Sequence, residues 1–356
     1  MSLITVLRCT DIDEMTTFLC ERLGGRVESI RPADSPSEVM MTVAGARLCI
    51  RRHDRNEPIH LIVPSGRDVS ASTLTAPNGT TIEICPDTDV IVPPSVPSLS
   101  IVRADGDFGV GRAGMEYRDL LPDRWGGRFI ASNIRVVEAG PVADVVHRHR
   151  IRFQMIFCAR GWVDVVYEDQ GPAFRLHSGD CVLQPPEIRH RVLRNSADLD
   201  VIEIGCPAVH DTIVDHDMTL PTPSVVADRE FAGQRFVRHV AVEAVRMPHQ
   251  VDGMRVRDTG IGAATRGLAG ARVIEAVREG TSSSMLGHEG DFVMIVVLRG
   301  AATLSVDDRE IEPRLGPLDA VAIPPGSRWC WIEWSSDLEF LEVSLPDGAV
   351  RPASGV

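Results

Sequence analysis

Along most of this chain the apolar positions alternate with period two, and only one stretch repeats with helical period. Residues 3–8 read as a strand, and Thr10 or Asp11 is placed to cap a helix carrying Met15, Phe18, Leu19 and Leu23 on one face. That helix stops at Gly24-Gly25. Strands are predicted at 26–30, 38–43, 47–51, 60–63 and 81–85, the last after the turn Ala76-Pro77-Asn78-Gly79. Pro86, Pro93, Pro94 and Pro97, followed by Gly106, Gly109 and Gly111, break the pattern and predict a linker over 93–113. Beyond it, runs of Val, Ile and Thr are punctuated by Gly, Pro and Asp, which predicts a mainly β protein.

The β-rich part repeats itself. Gly114-Met-Glu-Tyr-Arg-Asp119 recurs as Gly253-Met-Arg-Val-Arg-Asp258, and Ala159-Arg160-Gly161 as Leu298-Arg299-Gly300. The run from Asp180 to Pro185-Pro186 recurs from Asp319 to Pro324-Pro325. Two similar units are therefore expected at 114–222 and 253–347. They are joined by a connection at 223–252, preceded by a separate βαβββ module at 1–92, and followed by a tail at 348–356.

The candidate chemistry lies between Gly140 and Asn195. His147 and His149 are one residue apart on a predicted strand, so both face one side. His190 opens a later strand after Gly179-Asp180 and Pro185-Pro186 and can complete a three-nitrogen site. Neutral imidazoles on strands suit iron, copper, nickel or zinc. Histidines, prolines and bounding glycines together resemble the paired motifs of the cupin superfamily, small antiparallel barrels that hold a metal inside. The resemblance implies tandem cupin (jelly-roll) barrels plus an N-terminal α+β module, with His147, His149 and His190 as ligands of one divalent metal. Fe(II) is favoured, with Zn, Ni, Mn or Cu as alternatives.

This chain departs from the common cupin pattern twice, with Gln154 where a Glu is usual and Glu187 where a Gly is usual. Gln154 is a weak fourth ligand, a hydrogen-bonding group that orients a metal-bound oxygen, or a polar residue that fills the barrel and bonds to the backbone. Arg152, after a predicted turn, is a candidate inward guanidinium for a substrate carboxylate. Strand parity places Arg148, Arg189 and Arg191 on the outside. Cys158 and Tyr167 fall on one hairpin. His210 and His216 either line the barrel mouth or belong to a solvated tail.

Alignment of the repeat puts Leu286 at the place of His147, His288 at His149, Val293 at Gln154 and Trp329 at His190. One histidine does not hold a metal, so the second barrel is expected to be structural. Trp329, Trp331 and Trp334 either fill it or form an interface. The N-terminal module, ending in Pro77-Asn-Gly-Thr-Thr-Ile-Glu83, is similar to one module of the glyoxalase/vicinal-oxygen-chelate superfamily. Glu83 stands where that family has a ligand. No second module is present, which favours a packing or partner-binding role.

Composition narrows the function. A net charge of −13 argues against nucleic-acid and anionic-membrane partners. No apolar run approaches the roughly 20 residues of a membrane span. Eight scattered cysteines with no CxxC pair predict reduced thiols in a cytoplasmic protein. There is no nucleophile elbow or phosphate-binding glycine loop. A three-histidine centre without carboxylate resembles those of cupin dioxygenases acting on gentisate, salicylate, β-diketones, flavonols and thiols. The resemblance thus implies a mononuclear non-haem Fe(II) dioxygenase for a small chelating anion, with O2 as co-substrate and a homodimer as the assembly. A non-redox metal-dependent isomerase, decarboxylase or lyase, or a non-enzymatic binding cupin, are the alternatives.

Overall fold

The computed structural model describes residues 3–65, 70–86 and 90–353. The chain divides into two compact units, 1–89 and 90–356. In the first, β1 (Thr5–Cys9), α1 (Ile12–Leu23), β2 (Arg26–Arg31), β3 (Glu38–Val43) and β4 (Ala46–Arg52) form the expected βαβββ order. The sheet order is β1-β4-β3-β2, with β1 and β4 parallel. Asp11 caps the helix by accepting from the Glu14 N–H, and Gly24 ends it in the left-handed conformation at φ 63°. Met15 and Leu19 are buried against the sheet. A second sheet of β5 (His60–Ser65), β6 (Ser72–Thr75) and β7 (Thr81–Pro86) completes the unit, and sequence patterning alone misses β6. Glu83 pairs with His60 at 3.2 Å on an open face, and both side chains are about half exposed.

The second unit starts earlier than the repeat suggests. Residues 93–113, expected as a linker, contain β8 (Ser100–Val102) and β9 (Gly109–Val110), both hydrogen-bonded into sheets. The first barrel follows as β10 (Glu116–Asp119), β11 (Ile130–Val136), β12 (Gly140–Pro141), β13 (His147–Arg150) and β14 (Phe153–Arg160). It continues with β15 (Trp162–Tyr167), β16 (Phe174–His177), β17 (Cys181–Leu183), β18 (His190–Asn195), β19 (Leu199–Cys206) and β20 (Asp211–Val214). One sheet runs β17-β14-β19-β11-β10 and the facing one β16-β15-β18-β13-β20, every pair antiparallel. After a short hairpin of β21 (Glu230–Phe231) and β22 (Gln234–Arg235), β23 (Val237–His239) leads to the second barrel over 254–352. This is the tandem cupin fold.

The two barrels exchange their leading segments. β8 precedes the first barrel yet pairs with Ala320–Ile323 of the second, while β23 precedes the second and pairs with β17 of the first. Matching polar contacts lock both exchanges. Asp319 accepts from the Ala104 N–H at 2.7 Å, and Asp180 from the Ala241 N–H at 2.8 Å. Buried Arg118 donates to the Leu318 carbonyl at 3.1 Å, and buried Arg257 to the Gly179 carbonyl at 3.1 Å. One continuous apolar core spans both barrels, with Phe129 stacked on Phe292 at 4.4 Å and Trp125 edge-on to Phe292 at 5.3 Å.

The register confirms the repeat alignment. Leu286 faces Trp329 across its strand pair, as His147 faces His190. Trp329, Trp331 and Trp334 are buried inside the second barrel with Val293, Leu304 and Phe340, so they fill it. Glu342, cross-strand from Arg272, is also enclosed there, and burial pushes its carboxyl from its ordinary 4.5 up to about 7 despite that arginine. Below about pH 4.5 the group is neutral in the folded and unfolded chains and costs nothing. Between there and about 7 the unfolded chain ionises first, so stability falls as pH rises, by an amount on the order of 3 kcal/mol. Glu342→Gln removes this dependence: its Tm matches the parent's at pH 4.5 and exceeds it at pH 8.5. Thermal melts at the two pH values measure it.

Candidate metal centre

The three predicted histidines meet. Their candidate ligand nitrogens all lie within 4.8 Å of one another, and no other such cluster of His, Cys, Asp or Glu occurs among the described residues. His147 and His149 share a face of β13, and His190 lies directly opposite His147 on β18. Ring centroids are 5.1 Å apart for His147–His149, 4.3 Å for His147–His190 and 5.2 Å for His149–His190.

A local bond orients each ring. Nδ1 of His147 donates to the Val145 carbonyl at 2.8 Å, and Nδ1 of His190 to the Ile188 carbonyl at 3.0 Å. Nδ1 of His149 meets the Thr212 hydroxyl at 3.0 Å, because Thr212 is its cross-strand neighbour on β20. The backbone carbonyls leave Nε2 of His147 and His190 as lone pairs, and the Thr212 hydroxyl allows the same for His149. Burial keeps all three neutral. His190 is pushed down to about 3 by burial and then by His147. His149 is lowered still further, by burial and then by His190, His147 and His210, and His147 by burial, with Arg112 contributing.

Gln154 lines the same cavity from β14 and is buried. Its Nε2 donates to Glu203 Oε1 at 2.5 Å, which fixes the amide orientation, since a carboxylate only accepts. Its Oε1 is buried without a partner. A buried amide oxygen without a donor is costly. A cation, or a protonated oxygen on a bound molecule, satisfies it. Three imidazole lone pairs beside an orphaned amide oxygen fit a divalent metal that accepts N and O donors. His147, His149 and His190 would hold it, with Gln154 at the margin.

Arg152 is not at the site. Its amide N–H donates to the Cys206 carbonyl at 2.9 Å, and its guanidinium lies near the Cys206 thiol, which burial pushes up to about 11 against the arginine's pull. It sits at the bend between β13 and β14 and is not among the residues lining the cavity. Arg112 supplies the guanidinium instead, from the stretch expected as a linker. Its Nη1 donates to Asp144 Oδ1 at 2.6 Å and its Nη2 to His147 Nε2 at 3.1 Å. Asp144, buried, also accepts from the Val192 N–H at 2.9 Å. The arginine thus rests on the lone pair a metal would take. The other arginines follow parity: Arg148 pairs with Glu187, and Arg189 with Asp215 and Glu168.

Glu203 and His210 complete the cavity wall. His210 sits 5.3 Å from His149, ring to ring. Sequence reasoning missed Glu203, Arg112 and Asp144. Only the spacing of Asp144 before His147 offered a signal, whereas Glu203 required the pairing of β14 with β19. Tyr167 stacks on His190 at 5.4 Å and accepts from Gln184 at 3.0 Å, while the Cys158 thiol turns to the Arg160 and Gly161 carbonyls. In the second barrel His288 Nε2 meets the Ile323 carbonyl at 2.8 Å, and no ligand set surrounds it among the described residues.

No protein-family profile matches the chain, and no curated protein matches it in sequence. Solved structures do match in fold. A point mutant of oxalate decarboxylase OxdC of Bacillus subtilis aligns with TM-score 0.53 and 13% identity, over 73% of this chain and 81% of that one. Oxalate decarboxylase of Lactobacillus farciminis gives 0.52 and 12%, over 73% and 90%. The protein Ylba from E. coli gives 0.50 and 11%, over 73% and 94%.

Protein expressed with added iron or zinc carries about one metal ion per chain by mass spectrometry. His147→Ala/His149→Ala loses it and His288→Ala retains it. Thr212→Val, which frees the His149 ring, lowers metal affinity by about 10–100-fold in a chelator competition.

Proposed function

We propose that the first barrel is the working half of a metal-dependent enzyme, a mononuclear non-haem Fe(II) dioxygenase for a chelating organic anion. The observation that carries this reading is the convergence of three neutral imidazoles with no carboxylate in the ligand set, at the wall of a cavity of about 400 Å3. Three neutral ligands leave a divalent ion its full charge and open positions, which favours a chelating anionic substrate. The metal supplies charge stabilisation and a route for electrons to dioxygen.

The chain's own groups bind and orient. Arg112, braced by buried Asp144, offers Nη2 to a substrate carboxylate. Gln154 Oε1 takes a hydroxyl proton of the substrate as a hydrogen bond, and Glu203 holds the amide in that orientation. The aliphatic walls keep water from the reacting atoms. The second barrel covers one side of the first and does no chemistry.

A second reading, non-redox decarboxylation, is supported by Glu203, a carboxylate in the cavity wall placed to hold or deliver a proton, and by the decarboxylases among the fold neighbours. The two readings separate cleanly. Iron-loaded protein with a panel of phenolic acids and diketones consumes oxygen stoichiometrically with substrate loss and is silent under argon. Carbon dioxide release that persists under argon, with zinc in place of iron, replaces the first reading with the second. Arg112→Met raises KM for carboxylate substrates by about 10–100-fold.

A further inference from the structure

We infer that the cavity takes an elongated monoanion, with one carboxylate head at the histidine end and an apolar body, and that it rejects small dianions. The inference deepens the enzymatic reading and rests on it for the placing of the head.

Inward positions along each strand recur every second residue, so the register orders the cavity wall from end to end. On β15 the inward series runs Tyr167, Val165, Val163, and on β18 His190 gives way to Val192. On β19 Glu203 gives way to Val201 and Leu199, and on β14 Gln154 gives way to Ile156. The polar groups Gln154, Glu203, His190 and Tyr167 gather at one end of these series. Beyond Glu203 and its cross-strand neighbour Ile156 the cavity-lining positions of these four strands are aliphatic, and Tyr117, cross-strand from Ile134, brings one phenol to the wall. From Tyr167 to Val163 the strand covers about 13 Å. A volume of about 400 Å3 lies within the usual range for small-molecule sites, roughly 300–1,000 Å3. A two-carbon dianion such as oxalate leaves the aliphatic levels unfilled and contributes nothing to their burial.

Formal charge gives the same answer at the polar end. Arg112 is opposed by Asp144, and Glu203 adds a second carboxylate against the Gln154 amide. With a divalent ion on the histidines, these charges sum to one positive, which a single carboxylate neutralises. A second carboxylate at the far end of the body finds no cation there, and apart from Tyr117 the lining side chains at that end are apolar.

The test is a calorimetric titration of the full-length protein, with and without zinc, using sodium acetate, butanoate, hexanoate, octanoate, oxalate and the neutral octanamide. Affinity is expected to rise about four-fold per methylene, equivalent to about 0.8 kcal/mol, from butanoate to octanoate in both metal states. Octanoate is expected to exceed octanamide by about ten-fold or more, and in the zinc-free protein oxalate is expected to bind no more tightly than acetate. In Arg112→Met the preference over octanamide is lost while the chain-length slope persists. Val165→Trp fills the apolar end and flattens the slope, and Val201→Phe serves where that variant does not fold. A flat slope in the parent protein, or oxalate binding more tightly than octanoate to the zinc-free protein, overturns the inference, and equal binding of octanamide overturns the head assignment. Zinc uptake, read in the same titrations, reports separately on the metal: failure there with the slope intact removes the enzymatic reading and leaves the pocket.

Discussion

The centre depends on how each histidine spends its Nδ1. On His147 and His190 that nitrogen donates to a carbonyl two residues earlier in the chain, and on His149 it meets a threonine across the sheet. These bonds fix ring rotation and tautomer together, so the Nε2 lone pairs point at a common space. Burial, which lowers the basicity of all three, keeps those lone pairs free of protons. Without the anchors, three neutral rings in an aliphatic barrel have no reason to face one another. The walls, the amide of Gln154 and the guanidinium of Arg112 act only because that focus exists.

The parts legible in the sequence were those governed by period two within one strand. His147 and His149 share a face by parity, and the outward placing of Arg148, Arg189 and Arg191 follows from the same rule. The repeat alignment carried the register of the second barrel, where Leu286 stands opposite Trp329 as His147 stands opposite His190 in the first. What escaped was set by pairing between strands. Glu203 belongs to the centre because β19 lies beside β14, and Arg112 because a segment rich in proline and glycine folds back over the barrel. The turn after β13 leaves the parity of Arg152 open, so the sequence admits it as the inward guanidinium, but it does not line the cavity.

The two barrels show what one position becomes in two settings. Glu203 and Glu342 occupy equivalent places, each paired across the strand with an isoleucine, Ile156 and Ile295. In the first barrel the carboxylate faces a cavity and takes a hydrogen bond from an amide. In the second, tryptophans fill the space and burial makes the group a weak acid. A filled barrel is dense, and among the described residues it holds no cluster of metal-ligating groups. An open one forgoes that packing and gains a place for chemistry.

The crossed leading segments have a consequence for how the halves stay together. β8 completes a sheet of the second barrel and β23 a sheet of the first, so each half closes an edge of the other. In a dimer of separate chains such an exchange is governed by concentration and is undone by dilution. Here both arms belong to one polypeptide, and each meets its sheet at an effective concentration fixed by the tether. The first barrel therefore keeps its cover however scarce the protein is.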